Sequence, residues 1–192
     1  PHYKILNYFK AVPEAAPSMD KLEKYGETYQ GRELIVAYIS SAENMQQLEN
    51  IRNANLQATG LKAGNATNDK AIVWLSYNVH GNEPSSSEAA IPTLYALTDP
   101  NNQQTKEWLK NTVVIIDPCL NPDGRDRYVN WFTSVAGNQY NARLDAREHR
   151  EPWPGGRTNH YNFDLNRDWA WQTQAESQQR MPLYNQWLPQ LH

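Results

Sequence analysis

Three short apolar runs, separated by segments of helical composition, limit the possible folds of this chain more than any other sequence feature. The runs are ELIVAYI within residues 31–40, AIVWLSYNV within 70–81 and TVVIID within 111–124. Apolar side chains occupy consecutive positions in each run, as is typical of strands that are buried on both faces. Strands of this kind that alternate with helices indicate an α/β fold with a largely parallel sheet.

The regions around the apolar runs supply the helices. Four segments have the residue preferences of helices: 18–30, 42–60, 85–98 and 173–188. The third gives the clearest signal, because Ser85 and Glu88 form a Ser-x-x-Glu capping box ahead of apolar residues. The tetrapeptide NPDG at 121–124, in contrast, is typical of a turn.

Length and charge exclude several classes of protein. A chain of 192 residues suits one domain, which we expect to span residues 1–192. The net charge is -3 without a cluster of Lys and Arg, so nucleic acid and anionic membranes are poor partners. The apolar runs are too short to span a bilayer, and the one cysteine, Cys119, excludes an internal disulfide or a cysteine-based zinc cluster. Because the chain begins at Pro1 rather than Met, we expect that a signal peptide is removed or lies outside this sequence, and that the location is extracellular or periplasmic.

A histidine and a glutamate follow the second apolar run, where a helix is about to begin. His80 and Glu83 would therefore lie at the carboxyl end of a strand, where the sheets of α/β proteins bind ligands. Imidazole nitrogen and carboxylate oxygen are both good zinc ligands, and Gly81 allows a tight turn between them. The spacing alone is common by chance, and the position after a strand and before a helix supports a metal site without establishing it.

A second polar stretch, NFDLNRDW at 162–169, places Asn166 and Arg167 side by side after Asp164. Taken alone, these are ordinary loop residues. Four stretches in one order are more specific: GETYQGREL (26–34), HGNE (80–83), NPDGRDRY (121–128) and DLNRDW (164–169). In this order they resemble the zinc carboxypeptidases of the metallocarboxypeptidase A type, the M14 peptidase family. The resemblance extends from about residue 20 to the end of the chain.

This resemblance implies a more detailed fold. The expected architecture is a three-layer α/β sandwich with a mixed, largely parallel twisted sheet flanked by helices. The resemblance also implies that the chain is the N-terminal portion of a longer catalytic domain, so the fold would be incomplete at its C-terminus.

The resemblance also assigns roles to two pairs of residues. His80 and Glu83 match two of the three ligands of a Zn²⁺ cofactor. Asn166 and Arg167 match the pair that holds the free carboxylate at the C-terminus of a peptide substrate. The chemistry is suitable, because a guanidinium group offers two parallel donors to a carboxylate and the Asn amide adds a third.

The family uses a further arginine to polarise the scissile carbonyl group and to stabilise the oxyanion. Arg157 is the expected residue, since it lies nine residues before Asn166 in a loop that contains glycines. Arg147 and Arg150 are alternatives, and each of the three could instead be a solvated surface arginine.

The third zinc ligand of the family is a histidine that follows a further helix and strand. Only His192 lies downstream of the Asn-Arg pair, and we expect it to begin a strand rather than to bind the metal. The third ligand and the glutamate that acts as general base are then expected after residue 192. The other histidines, His2, His149 and His160, are not expected to be ligands.

The activity that the resemblance implies is zinc-dependent hydrolysis of the C-terminal peptide bond of peptide substrates. A zinc-dependent deacylase of N-acyl amino acids is an alternative, because enzymes of that kind use the same His-x-x-Glu and Asn-Arg pairs. A second alternative is a non-catalytic module that binds peptides without cleaving them.

Overall fold

A computed structural model describes residues 1–16 and 19–192 of the protein. One four-stranded sheet runs through these residues, in the order β1-β2-β4-β3. Its strands are β1 (Asp20–Glu27), β2 (Glu33–Ile39), β3 (Ala71–Ser76) and β4 (Thr112–Asp117). The α-helices of the described residues are α1 (His2–Ala15), α2 (Ala42–Met45), α3 (Leu48–Ala58), α4 (Pro84–Thr98), α5 (Gln103–Leu109), α6 (Pro122–Val135) and α7 (Ala175–Trp187). Short 3-10 helices span Arg147–His149 and Leu165–Arg167.

The sheet is mixed, as predicted, but its strands are not largely parallel. β1 and β2 form an antiparallel hairpin, β2 pairs antiparallel with β4, and β3 pairs parallel with β4. The expectation of a largely parallel sheet is therefore wrong for the described strands. The reason is the hairpin, since a strand that follows a tight turn must run antiparallel to its neighbour. On the other side of β3, Leu191 forms a parallel bridge to Val73, as a strand beginning near His192 would.

Apolar side chains cover both faces of the sheet and so produce three layers. On one face, α1, α4 and α5 pack against Ile35, Ala37, Ile39, Val114 and Ile116. On the other face, α3 and α7 pack against Val36, Tyr38, Ile72, Trp74, Val113 and Ile115. Successive residues of β2 and β4 thus enter opposite cores, which explains why their apolar runs are uninterrupted. None of the described helices is long and apolar enough to span a membrane.

The first strand occupies a segment that the sequence predicted to be helical. Within the predicted helix over 18–30, residue 18 lies outside the described residues, and residues 20–27 form β1. Its Lys and Glu residues favour a helix locally, but pairing with β2 along the whole strand overrides this preference. Gly31 adopts a positive φ of 73° in the connecting turn, a conformation that favours glycine.

The other predicted helices are confirmed, although 42–60 is divided into α2 and α3, and neither α1 nor α5 was predicted. The predicted capping box is wrong. α4 begins at Pro84 without a side-chain cap, and Glu88 instead forms an ion pair with Arg125. Proline suits this position because the first turn of a helix has no partner for its N–H groups.

The NPDG stretch is more than a turn. The side chain of Asn121 accepts a hydrogen bond from the backbone N–H of Gly124 at 2.9 Å, and α6 begins at Pro122. An Asn cap followed by proline is a helix-start signal, so the sequence contained the information that the turn interpretation missed.

Candidate functional site

The predicted site residues lie at one edge of the sheet. Because β3 is parallel to β4 and β2 is antiparallel to it, the ends of β3 and β4 and the β1–β2 turn share this edge. His80 and Glu83 lie in the turn between β3 and α4. The sequence therefore placed this pair correctly at the carboxyl end of a strand.

A buried asparagine shapes the turn that carries His80 and Glu83. Asn78 has a positive φ of 58°, and its side-chain amide donates hydrogen bonds to the carbonyl oxygens of His80 at 2.6 Å and Glu83 at 3.1 Å. Its side-chain oxygen accepts from the hydroxyl of Ser87 at 3.0 Å and from Arg125 at 3.3 Å. Sequence reasoning missed Asn78, although an Asn at the end of a strand and before a tight turn is a recognisable signal.

The side chains of His80 and Glu83 face each other directly. His80 is 7% exposed, and its Nδ1 lies 3.1 Å from Oε1 of Glu83. The side chain of Glu83 is 57% exposed, so the open side of the pair is accessible to a ligand. The two predicted metal ligands thus converge from the two ends of one turn.

The aspartate of the DLNRDW stretch joins two parts of the site. One oxygen of Asp164, Oδ1, lies 3.2 Å from Nε2 of His80, while Oδ2 accepts from Nε and Nη2 of Arg157 at 3.2 and 3.1 Å. Partial burial raises the pKa of Asp164, but the Asn166 backbone N–H and the charges of His80 and Arg157 lower it more, so the net shift is downward. Asp164 was not predicted as a site residue.

This arrangement fits a zinc ion in its donor chemistry. Asp164 accepts only when Nε2 of His80 is the protonated nitrogen, and Nδ1 then presents its lone pair toward Glu83. Two facing acceptors need a proton or a cation between them. Histidines that bind metals usually donate their second ring N–H to a carboxylate in this way. Among the described residues, however, no three His, Cys, Asp or Glu side chains are grouped so that they could hold a metal ion.

Three glycines bring separate motifs into backbone contact. A Cβ atom on Gly81 would overlap the backbone of Gly124 and Arg125 and the carbonyl oxygen of Gly156. A Cβ on Gly124 or Gly156 would overlap the backbone of the other segment in the same way. The turn of His80, the first turn of α6 and the loop before Arg157 are therefore packed at distances that only glycine permits.

The backbone of Arg157 is held by two of these segments. Its carbonyl oxygen accepts from the side-chain amide of Asn121 at 3.1 Å and from the backbone N–H of Gly81 at 3.4 Å. Asn121 is completely buried. The structure thus brings Arg157, our expected oxyanion residue, beside the turn that carries His80 and Glu83.

The β1–β2 turn is attached to the same assembly. Asp123, in the first turn of α6, accepts hydrogen bonds from Thr28 at 2.7 Å and from Arg32 at 2.8 Å. Arg32 also pairs with Asp126 at 2.8 Å. Thr28 and Arg32 of the GETYQGREL stretch therefore bind the NPDGRDRY stretch, and His80 forms no hydrogen bond with residues 26–34.

Asn166 and Arg167 lie two and three residues after Asp164. The side-chain oxygen of Asn166 accepts from the indole N–H of Trp169 at 3.0 Å, so its amide nitrogen is directed away from Trp169. Arg167 is exposed, donates to the carbonyl oxygen of Asn166 at 3.0 Å and has no salt bridge to any described residue. Both side chains thus keep N–H donors available for an anionic group.

Trp169 is itself fixed by a buried ion pair. It lies over the guanidinium of Arg180 at 4.3 Å, and Arg180 pairs with Asp117 at the end of β4 at 3.0 Å. Burial raises the pKa of Asp117, whereas the nearby Arg180 lowers it, and the net value is about 6. Through Trp169 and Arg180, the orientation of the Asn166 side chain is thus linked to the end of β4.

The two arginines that are alternatives to Arg157, and the histidines other than His80, do not bond to the candidate metal ligands. Arg147 and Arg150 are exposed, and neither forms a hydrogen bond with His80, Glu83 or Asp164 within the described part of the chain. The remaining histidines bond elsewhere: His2 to the carbonyl oxygen of Glu33, His149 to that of Asn141, His160 to Gln30, and His192 to Ser76 and Tyr184.

A family model described as zinc carboxypeptidase matches residues 5–187. A search of curated proteins gives no match.

Several solved structures share the fold. A protein assigned as a carboxypeptidase A from Shewanella denitrificans OS-217 is 18% identical over 97% of this chain, with a TM-score of 0.62. A metallo-carboxypeptidase from Burkholderia cenocepacia is 15% identical over 93% of this chain, with a TM-score of 0.59. A metallo-carboxypeptidase from Pseudomonas aeruginosa, in complex with (2-guanidinoethylmercapto)succinic acid, is 14% identical over 99% of this chain, with a TM-score of 0.57. The chain spans 37%, 36% and 37% of the lengths of these three proteins.

Proposed function

Because the chain belongs to the zinc carboxypeptidase family, we propose that it contributes part of the active site of an enzyme that removes the C-terminal residue of peptides. The observation that carries the proposal is the position of Asp164 between His80 and Arg157. One carboxylate orients a candidate metal ligand and, at the same time, a candidate oxyanion donor.

In this proposal His80 and Glu83 hold the zinc ion. The chemistry that zinc supplies in such sites is a lower pKa for a bound water and polarisation of the scissile carbonyl group. Asp164 accepts from Nε2 of His80 when that nitrogen carries the proton, and Nδ1 would then offer its lone pair, beside the Glu83 carboxylate, to a metal ion held by the two residues.

Arg157 serves as the oxyanion donor. Its guanidinium is nearly half exposed, and its backbone is fixed by Asn121 and Gly81. A preorganised cation of this kind stabilises negative charge that develops on the carbonyl oxygen in the transition state.

Asn166 and Arg167 bind the free C-terminal carboxylate of the peptide. Arg167 has no competing carboxylate among the described residues, and Trp169 orients the Asn166 amide. A peptide with a blocked C-terminus would leave both groups without their anion, so the enzyme would select free C-termini.

The test is the activity of purified full-length protein on three substrates, followed by mass spectrometry of the products. These are an N-blocked dipeptide with a free carboxylate, the same dipeptide as its C-terminal amide, and an N-acyl amino acid. The proposal is supported if the free-carboxylate dipeptide is cleaved and the other two substrates are not. Cleavage of the N-acyl amino acid only would identify a deacylase instead, and binding without cleavage of any substrate would identify a peptide-binding module.

A further inference from the structure

A glutamate in the loop between α6 and the DLNRDW stretch lies against the site, although neither the motifs nor the proposed reaction uses it. Oε2 of Glu151 accepts a hydrogen bond from the side-chain amide of Asn82 at 2.9 Å. Its other oxygen, Oε1, accepts from the backbone N–H of Gly156. Asn82 stands between Gly81 and Glu83 in the turn of the candidate metal ligands, and Gly156 directly precedes Arg157.

From these contacts we propose that Glu151 is a positioning residue, which clamps the loop of Arg157 onto the turn of His80 and Glu83. The inference rests on the proposed function only for its catalytic consequence. The clamp itself consists of two hydrogen bonds that the Glu151 carboxylate accepts, from Asn82 and from Gly156, which are distant in sequence.

The geometry around the clamp explains why a carboxylate is needed. Both partners of Glu151 are N–H donors, so the group between them must accept on both of its ends. A glutamine could accept from one of them only, because its NH₂ group has no acceptor function.

Other contacts hold the same loop but do not replace the clamp. Arg127 donates to the carbonyl oxygens of Gly155 at 2.9 Å and Asn159 at 3.0 Å, so it fixes the loop to α6. Among the described side chains, only Glu151 connects the residues just before Arg157 to the side chain of Asn82. The carbonyl oxygen of Arg157 also accepts from Asn121 and from the backbone N–H of Gly81, the latter at 3.4 Å. Loss of Glu151 should therefore leave the loop attached to α6 and weaken, without abolishing, its attachment to the turn of the candidate metal ligands.

The first measurement is hydrogen exchange of single backbone amides by NMR on the chain itself. In Glu151→Ala we expect exchange at least about fivefold faster at Gly156, which loses its acceptor. We also expect faster exchange at Gly81, whose N–H donates to the carbonyl oxygen of Arg157. A purely local role of Glu151 would change Gly156 but not Gly81, and unchanged exchange at Gly81 would overturn the proposal.

The second measurement is kinetic and uses the full-length protein. Because Arg157 acts on the transition state, Glu151→Ala should lower kcat on the order of tenfold to a hundredfold, with KM and zinc content close to those of wild type. Glu151→Gln should be intermediate, since it keeps one of the two acceptors. Asp145→Ala is the matched control and should behave as wild type. It removes an exposed carboxylate of the same loop whose ion pair, among the residues that the structure describes, is with Arg143 alone.

The outcomes separate the clamp from the proposed function. A wild-type kcat in Glu151→Ala, or a loss of zinc that accounts for the lost activity, would overturn the clamp. If the wild-type protein cleaves no peptide, the proposed function fails, and the exchange at Gly81 still decides whether Glu151 couples the two segments. If Glu151→Ala does not fold, the same exchange comparison is made with Glu151→Gln, in which unchanged exchange at Gly81 would overturn the proposal.

Discussion

The imidazole Nε2 of His80 lies 3.2 Å from the carboxylate Oδ1 of Asp164, although the two residues are separated by 84 positions in the sequence. This contact joins the HGNE and DLNRDW stretches, and the second oxygen of Asp164 adds Arg157 to them. The four stretches of the family resemblance are thus linked in space by hydrogen bonds and glycine contacts around the candidate metal ligands.

The first prediction concerns Asp164. Asp164→Asn keeps the shape of the side chain but removes the negative charge that holds His80 and Arg157. We expect the affinity of the full-length protein for zinc to fall about tenfold to a hundredfold, the usual effect of losing the carboxylate behind a metal-binding histidine. Competition titration with a zinc chelator measures this change, and Asp145→Asn, an exposed carboxylate, serves as control. Equal affinities of wild type and Asp164→Asn would show that Asp164 does not orient a ligand.

The second prediction concerns the contact of Gly81 with Gly124 and Gly156. Gly81→Ala forces a Cβ into backbone atoms that have no flexible side chain to move aside. We expect the free energy of unfolding to fall by about 3 kcal/mol, as for severe overpacking. Urea unfolding measures this loss. Gly137→Ala is the matched control, because a Cβ there would make only ordinary contact, 3.5 Å from the carbonyl oxygen of Gln139.

The third prediction concerns Arg167. If its guanidinium binds the C-terminal carboxylate of the substrate, Arg167→Ala should lower kcat/KM on free peptides about tenfold to a hundredfold, since it removes a hydrogen bond between charged groups. Arg167→Lys should recover only part of this loss, because an ammonium group cannot bind a carboxylate through two parallel bonds. On C-terminal amides, which wild type is expected to cleave poorly, the same variants should show no further loss. An equal loss on both substrate forms would argue against carboxylate binding by Arg167.

The fourth prediction concerns the pH dependence of stability. Burial raises the pKa of Asp20 from 3.8 to about 7, against a smaller lowering by the backbone N–H of Lys21. An acid whose pKa is raised on folding stabilises the folded state below its unfolded pKa, and this contribution is lost as the pH rises toward 7. Through Asp20, the free energy of unfolding should therefore decrease by up to about 4 kcal/mol as the pH rises from 4 to 7, at about 1.4 kcal/mol per pKa unit.

Unfolding by urea at several pH values tests this prediction. Asp20→Asn lacks the ionisable group, so the decrease in stability between pH 4 and pH 7 should be smaller than in wild type. Parallel curves for the two proteins would mean that the pKa of Asp20 is not raised in the folded state.

Local patterns in the sequence predicted the buried strands and the position of the candidate ligands. Alternate residues of the run TVVIID lie in the two cores on opposite faces of the sheet. A strand that is buried on both faces needs such consecutive apolar residues. The place of His80 and Glu83 at the end of a strand could be predicted because the preceding strand and the following helix lie within one short stretch, whereas their role as ligands came from the resemblance of the ordered motifs.

The remaining features depend on partners that are distant in the sequence. β1 carries residues that favour a helix and becomes a strand only because β2 pairs with it. Glu88 has the spacing of a cap to Ser85, but the buried guanidinium of Arg125 attracts its carboxylate more strongly than the end of α4 does. Asp164 and Glu151 could not be identified from local patterns, since their roles are defined by His80 and Asn82 on a different segment.

The most direct test of the account is the zinc content of the purified full-length protein and of three variants, determined by elemental analysis after dialysis. We predict stoichiometric zinc in wild type and in His160→Ala, whose imidazole bonds to Gln30 and not to the site. We predict little or no zinc in His80→Ala and in Glu83→Ala. Stoichiometric zinc in either of these two variants would contradict the assignment of His80 and Glu83 as metal ligands.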